Sequence, residues 1–229
     1  MHEGPPPDEQ PQDVWKSRRY LPHFDDGRKP QHITFHLSDS LPKEKLERLT
    51  LELASLPPEM QSIERRRRVE EWNDAGYGCC IFAHPAAARM AEQTLLFFDG
   101  LRYQLFAWVV MPNHLHVLLE QESGWSLAGI VASWKKRMAR QLLDLAARSA
   151  AGRAGDHANA PVVRCPRPVF YREYWDRYIR DQGHFQRVVD YIHNNPVKAG
   201  LVAAPEDWAW SSACRYKDGP IPPPPDLPE

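Results

Sequence analysis

The segment centred on His114-Leu115-His116 constrains the fold of this chain most strongly. Seven apolar residues, 105–111, precede it, Pro112-Asn113 separates the run from the histidines, and three more apolar residues, 117–119, follow. Proline followed by asparagine is typical of a tight turn, so the segment predicts two strands that meet at that turn. Alternate residues of a strand share a face, which places His114 and His116 side by side and turns Leu115 into the core. Two imidazoles on one sheet face form half of a divalent-cation site, although most such pairs are half-exposed surface residues.

A second informative segment begins near Gly183 and is predicted to be a helix that stops at Pro196, because proline disfavours helical geometry in the residue before it. Tyr191 and Asn195 are four residues apart and therefore lie on one face of the last turn. A phenol and an amide are thus presented together, although a tyrosine packed on the sheet and an asparagine that caps the helix would give the same pattern. The apolar stripe that docks this helix has the spacing i, i+3, i+4, i+7 and consists of Phe185, Val188, Val189 and Ile192.

Taken together, these two segments resemble a known family. The string from Ala107 to Leu118 resembles the His-hydrophobic-His core of the single-tyrosine DNA transposases. Residues 178–181, followed by the tyrosine helix and its Asn-Pro-Val-Lys-Ala-Gly tail at 195–200, resemble the REP-associated tyrosine transposases, the domesticated relatives linked to repetitive extragenic palindromes in bacterial genomes. The resemblance extends from about His32 to Tyr216.

The resemblance implies a reaction and a ligand set. Tyr191 would be the nucleophile that forms a covalent 5′-phosphotyrosine and frees a 3′-hydroxyl, and an incoming 3′-hydroxyl would reverse the step and rejoin strands. His114 and His116 would bind a divalent metal together with Asn195, the polar residue one turn after the tyrosine. Nitrogen and oxygen ligands with open positions suit magnesium or manganese. The substrate implied by the family is single-stranded DNA folded into a hairpin.

The remaining pattern predicts an α+β fold. A strand at residues 32–37, helices at 43–56 and 85–99, strands at 101–110 and 114–120, a helix at 127–145 and a short strand at 169–174 give the order β-α-β-β-α-β. This is the ferredoxin-like split βαβ layout, with an antiparallel sheet, helices on one face, the histidine pair on the other, and an added C-terminal tyrosine helix. Residues 146–161 are predicted to be a flexible loop. The arginine-rich stretch at 61–73 has the pattern of a solvated helix face, and no function is assigned to it.

The distribution of charged residues, and not the net charge, indicates binding to nucleic acid. The net charge is −1, but basic residues cluster on the helix at 127–145 and in the segment before the tyrosine helix. Four tryptophans, Trp134, Trp175, Trp208 and Trp210, are candidates for stacking on unpaired bases, although core packing is the better expectation for at least half of them. The candidate DNA-binding residues are Lys135, Lys136, Arg137, Arg172, Arg177, Arg180 and Lys198.

The length of 229 residues suits one catalytic domain, predicted at 31–217, with a loosely packed or disordered arm at 1–30 and a proline-rich tail at 218–229 that is expected to be extended and frayed.

The polar N-terminus does not have the pattern of a signal peptide, and no apolar stretch approaches the roughly 20 residues of a membrane span, so a cytoplasmic location is expected. Four cysteines without Cys-x-x-Cys spacing are typical of reduced thiols. A monomer and a homodimer both remain open.

Three functions are compatible with these residues. The first is a metal-dependent transposase that cleaves and transfers hairpin DNA. The second is a catalytically idle relative that only binds hairpin nucleic acid. The third is a metal-dependent phosphohydrolase of small nucleotides, which would need the histidine pair and a water but not Tyr191.

Overall fold

The computed structural model describes residues 15–17, 22–24, 29–41, 43–152, 163–216, 219 and 221–228. Its helices are α1 Lys43–Leu53, α2 Pro58–Asp74, α3 Pro85–Leu96, α4 Leu127–Gly152 and α5 Gln182–Lys198. Its strands are β1 Trp15–Ser17, β2 Pro22–Phe24, β3 Gln31–His36, β4 Tyr103–Val110, β5 His114–Gln121 and β6 Trp175–Tyr178.

The central feature is a four-stranded sheet in the order β4-β5-β3-β6, in which every neighbouring pair is antiparallel. The predicted α+β fold with an antiparallel sheet is confirmed, and the strand order agrees with the split layout, because β5 lies between β3 and β4. β1 and β2 pair with each other inside the predicted N-terminal arm, of which most other residues lie outside the described part of the chain.

Both faces of the sheet are covered, which corrects the expectation of helices on one face only. α3 and α4 bury one face against alternate strand residues such as Ile33, Phe35 and Val117. α5 docks its apolar stripe on the opposite face, against Ala107 and Val109 of β4, Leu118 of β5 and Met111 in the turn between these strands. Coverage of both faces explains why residues 105–111 are continuously apolar rather than alternating.

Three of the boundaries that differ from those predicted are those of the last strand, the loop after α4 and the end of α5. The last strand is Trp175–Tyr178 rather than residues 169–174, where only an isolated bridge joins Phe170 to Leu37. The predicted loop at 146–161 is helical as far as Gly152, and its remainder lies outside the described residues. α5 includes Pro196 and ends at Lys198, two residues beyond the predicted stop. A proline is tolerated here because only the last turn follows it, so the helix loses one backbone hydrogen bond at its fraying end.

The C-terminal tail is not a frayed end in its described part. Ile221 and Leu227 are buried beside the residues of α5. Gln182, the first residue of α5, donates its backbone N–H to the carbonyl of Pro228 over 2.9 Å, and its side-chain amide donates to the carbonyl of Leu227. The tail therefore closes the apolar cluster around the start of α5.

Among the described helices, none is both long enough and apolar enough to cross a bilayer. The cysteines at 79, 80, 165 and 214 are all free thiols, as predicted. Burial raises the pKa of Cys79 to about 12 and that of Cys165 to about 11, so these thiols are not activated.

Candidate active site

His114 and His116 lie side by side at the start of β5, on the face covered by α5. Both are almost fully buried, and their Nε2 atoms are 3.1 Å apart. Leu115 packs into the opposite cluster, as the alternation of a strand requires. The structure therefore brings the two predicted metal ligands together with their ring nitrogens directed at each other.

Asn113 fixes the orientation and the tautomer of His114. Its amide nitrogen donates to the backbone carbonyl of Tyr77 over 3.0 Å, so its oxygen must be the atom that lies 2.8 Å from Nδ1 of His114. Because an amide oxygen only accepts, His114 carries its proton on Nδ1 and presents an unprotonated Nε2. The Pro-Asn turn thus supplies the partner that orients the first histidine, the role that such outer partners have around metal sites.

His116 is oriented from the neighbouring strand β3. Its Nδ1 lies 2.9 Å from Oγ1 of Thr34 and 3.2 Å from Nε2 of His32. Thr34 stands directly opposite His116 in the β3–β5 register. With Nδ1 of both histidines engaged by neighbours, the two Nε2 atoms remain for each other or for a shared cation.

Burial keeps the pair neutral. Desolvation lowers the pKa of His114 to about 3, and the positive charge of Lys198 adds to this effect. The pKa of His116 is lowered well below its usual value, again mainly by burial and further by His114 and His32. Neutral imidazole is the form that binds a metal.

The residues present fit a divalent cation. Two nitrogen ligands at about 2.1 Å from one octahedral ion stand roughly 3.0 Å apart, close to the separation of the two Nε2 atoms. Asn195 is 1% exposed, and neither its Oδ1 nor its Nδ2 makes a hydrogen bond of ordinary geometry to a described residue, although the amide lies close enough to the Tyr191 hydroxyl to lower its pKa. A buried amide without partners is costly unless something else satisfies it, and a cation would satisfy its oxygen. Within the described part of the chain, no three His, Cys, Asp or Glu side chains are placed to hold a metal by themselves, so an amide ligand would be needed.

Tyr191 lies against the histidines. Its ring centroid is 5.2 Å from that of His116 and 5.7 Å from that of His32, with an edge-on arrangement in both cases. Burial raises the pKa of its hydroxyl, and the nearby carboxylates of Glu70 and Asp74 raise it further, while the Asn195 amide acts in the opposite direction. The free protein therefore holds Tyr191 as a protonated phenol, and ionising it for attack requires positive charge in its vicinity.

The other candidate tyrosines have different surroundings. Tyr174 packs into the cluster on the opposite face of the sheet. Tyr178 stands opposite Gln31 in the β3–β6 register. Because Gln31 is next to His32 along β3, the side chains of Gln31 and Tyr178 project from the sheet face opposite to that of His32. Tyr171 is exposed and stacks on His36 at 5.1 Å. Of these four tyrosines, Tyr191 is thus the one whose ring contacts a predicted metal ligand.

The predicted DNA-binding residues separate into two groups. Lys135, Lys136 and Arg137 belong to α4, behind the sheet and away from the histidine pair. The Lys135 ammonium is committed to the backbone carbonyls of residues 171–173, and burial lowers its pKa to about 8. Arg137 lies over the ring of Phe97.

The second group lies nearer the site. Arg177 stands opposite His32 in the β3–β6 register and lines a cleft beside it. Arg172 and Arg180 are exposed. Lys198 forms a 3.0 Å ion pair with Asp74 and so joins α5 to α2. Of the four tryptophans, Trp134 is a core residue and Trp175 lines the same cleft as Arg177.

Sequence reasoning missed the residues that support the site from other elements. His32 and Thr34 lie on the first strand of the sheet, and only their alternation with Ile33 and Phe35 could have placed them on the histidine face. Glu70 and Asn73 come from α2, whose charged pattern indicated only a solvated helix. No local signal in that helix shows which of its polar residues turn toward the sheet.

Comparison with known proteins supports the resemblance seen in the sequence. No protein-family model matches the chain. A protein of Haemophilus influenzae assigned to the REP-associated tyrosine transposases is 28% identical over 111 residues, which cover 48% of this chain and 58% of that protein. The REP-associated tyrosine transposase of Escherichia coli is 26% identical over 110 residues, 48% of this chain and 54% of that protein. The matched region thus spans little more than half the length of either relative.

The fold comparison reaches further along the chain. A solved structure of a REP-associated tyrosine transposase bound to a REP hairpin aligns with 91% of this chain, and the alignment includes 88% of the residues of that structure. The TM-score is 0.50 and the sequence identity is 18%. At that identity the likeness concerns the fold. Over about half its length the sequence of this chain is similar to REP-associated tyrosine transposases, and over nearly all of it the fold is similar to that of one such protein, the resemblance that its motifs predicted.

Proposed function

We propose that this protein cleaves and rejoins single-stranded hairpin DNA through a covalent 5′-phosphotyrosine at Tyr191. The observation that carries the proposal is the contact of the Tyr191 ring with His116, whose Nε2 is 3.1 Å from that of His114. A nucleophile beside a preoriented pair of imidazoles that can bind a cation is an arrangement that supports phosphodiester cleavage by a tyrosine.

His114, His116 and Asn195 would hold magnesium or manganese. When bound, such a cation neutralises charge on the scissile phosphate and favours ionisation of a nearby phenol. Asn113 and Thr34 hold the two imidazoles in place, and burial keeps them unprotonated. The ion pair between Lys198 and Asp74 fixes the end of the helix that carries Tyr191 and Asn195.

The chemical step is a transesterification. The phenol of Tyr191 gives its proton to water, its oxygen forms a bond to phosphorus, and the bond from phosphorus to the 3′ oxygen breaks. The leaving 3′ oxygen takes up a proton, and the 5′ side stays bound to the protein. The reverse attack by a 3′-hydroxyl restores a phosphodiester without an external energy source. The hairpin substrate is inferred from the relative whose structure holds a REP hairpin.

The test is covalent capture of labelled hairpin DNA on denaturing gels, with manganese or magnesium present. We expect a protein-linked band that disappears in Tyr191→Phe, because this change removes one oxygen and preserves the ring contacts. Tyr171→Phe is the matched control and should retain the band. Loss of the band in Tyr171→Phe together with its survival in Tyr191→Phe would show that the nucleophile is misassigned.

The second candidate is an idle hairpin-binding protein, and one observation favours it. The pKa of Tyr191 is raised by burial and by Glu70 and Asp74, which opposes nucleophilic attack. This candidate predicts hairpin binding without a covalent band at any metal concentration. Metal-dependent hydrolysis of nucleotides that persists in Tyr191→Phe would instead indicate a phosphohydrolase.

A further inference from the structure

A cleft opens directly beside the histidine pair, between the sheet and the second half of α2. Its sheet side is formed by His32 and Thr34 of β3 together with the start of β6, and its α2 side by Val69, Glu70 and Asn73. His32 belongs to both the cleft and the candidate active site, because its ring is 5.3 Å from that of His116 and 5.7 Å from that of Tyr191. Whatever enters the cleft therefore lies next to the bond that Tyr191 would attack.

Asn73 is the feature of this cleft that packing alone does not explain. Its side chain is 3% exposed, and its Oδ1 has no hydrogen-bond partner among the described residues. Leaving a buried acceptor unsatisfied costs about 1–3 kcal/mol. Asn73 lies one residue before Asp74, whose ion pair with Lys198 ties the end of α2 to the end of α5. The amide is thus held in place at the wall of the cleft, and no residue in the described part of the chain bonds to its oxygen.

Trp175 provides an aromatic surface on the other side of the cleft. It stands opposite Thr34 in the β3–β6 register, so it projects from the same sheet face as the histidine pair. It is half-buried and stacks on His36 at a centroid distance of 4.9 Å. This contact holds the indole against the sheet and fixes its position at the cleft.

Charge in the cleft excludes a phosphate as its principal ligand. Two carboxylates, Glu70 and Asp176, line it together with a single guanidinium, that of Arg177. Oxygen acceptors from Glu70, Asp176 and Asn73 instead suit a planar group that carries N–H donors. A nucleobase with an exocyclic amine has such donors on its edge and a face that stacks on tryptophan.

We propose that this cleft holds one unpaired nucleobase adjacent to the cleaved phosphate, with Trp175 against its face and Asn73 bonded to its edge. The inference rests on the proposed function, since it takes single-stranded DNA as the ligand. It makes α2 the element that selects the base at the cleavage position. Adenine, cytosine and guanine each offer an exocyclic amine to the acceptors of the cleft, whereas thymine offers only its N3–H, which lies between two carbonyl oxygens and therefore fits less well.

The test measures binding rather than cleavage, so that it does not depend on the chemistry. The protein is Tyr191→Phe in EDTA, and the probes are labelled hairpins that carry an abasic site at each single-stranded position in turn. Stacking of one base contributes about 1–3 kcal/mol, so one position should lose roughly 5- to 150-fold in affinity when its base is removed. Thymine at that position should bind more weakly than the other three bases.

Trp175→Leu in the same background should remove most of the penalty at that one position and leave the other positions unchanged, while Trp175→Phe retains a stacking face and should retain the penalty. Asn73→Ala should abolish the weaker binding of thymine at that position and reduce the penalty only by the share that the edge hydrogen bond contributes. Asn194→Ala, at an exposed asparagine of α5, is the matched control and should reproduce the parent profile. The unfolding temperature of each variant shows whether it folds. If Trp175→Leu does not fold, the comparison is made between Trp175→Phe and the parent protein.

The outcomes separate the two proposals. If the parent protein binds no hairpin at all, the proposed function fails. If it binds hairpins but no position shows a selective abasic penalty, or if that penalty is unchanged in both Asn73→Ala and Trp175→Leu, the base pocket is refuted while the proposed function stands.

Discussion

Asn113 is the residue whose replacement tests the metal site most directly. It is fully buried and makes two hydrogen bonds, accepting from Nδ1 of His114 at 2.8 Å and donating to the carbonyl of Tyr77 at 3.0 Å. Asn113→Ala leaves both partners unsatisfied, at about 1–3 kcal/mol each, so the free energy of unfolding should fall by roughly 2–6 kcal/mol. It also frees the His114 ring to rotate. Loss of such an outer partner typically lowers metal affinity about 10- to 100-fold.

The assay is calorimetric titration of the metal-free protein with manganese, paired with urea unfolding. Asn113→Asp is the control, because it keeps an oxygen for His114 but loses the donor to Tyr77. We expect Asn113→Asp to be destabilised yet to bind manganese with near-parental affinity, and Asn113→Ala to lose both properties. A folded Asn113→Ala protein that binds manganese as tightly as the parent would refute the assigned tautomer and the role of the turn in the site.

Three further predictions concern stability and charge. Burial lowers the pKa of His36 to about 4 and that of His114 to about 3, so below pH 6.5 the unfolded chain binds protons that the folded protein does not. Urea unfolding in EDTA should therefore show a loss of about 2 kcal/mol for each of these two histidines between pH 7.5 and pH 5, and His36→Gln should remove the share of about 2 kcal/mol that His36 contributes; equal stability at both pH values would contradict this. Lys135→Met should lower the unfolding temperature, because the ammonium is held by three backbone carbonyls, whereas Lys136→Met at an exposed position should not; thermal unfolding curves that show the opposite order would overturn the assignment. Leu227→Ala should cost about 2–4 kcal/mol of unfolding free energy, and an unchanged urea midpoint would mean that the tail does not pack in solution.

The sequence predicted the elements whose patterns are local. The strand pair around His114 and His116 follows from an apolar run, a Pro-Asn turn and the alternation of side chains, and the structure has both strands within two residues of their predicted bounds at each end. The stripe of α5 likewise placed Tyr191 and Asn195 on one helix face, and both features depend only on residues near in the chain.

The errors arose where tertiary contacts override local preference. Proline was expected to end α5 at Pro196, but the packing of Ile192 and the buried Pro196 against the sheet keeps the last turn helical. The proline-rich tail was expected to fray, yet Ile221 and Leu227 find an apolar cluster at the start of α5. In each case the decisive partner is distant in sequence.

The sequence by itself determined which residues carry the candidate chemistry, because strand and helix periodicity fixes which side chains face the same way. Only the tertiary structure decided what surrounds them: Thr34 and His32 reach His116 through the β3–β5 register, and α2 supplies Glu70 and Asn73 across a cleft. The physical reason is that periodicity acts over a few residues, whereas strand register and helix docking are set by the burial of the whole apolar core.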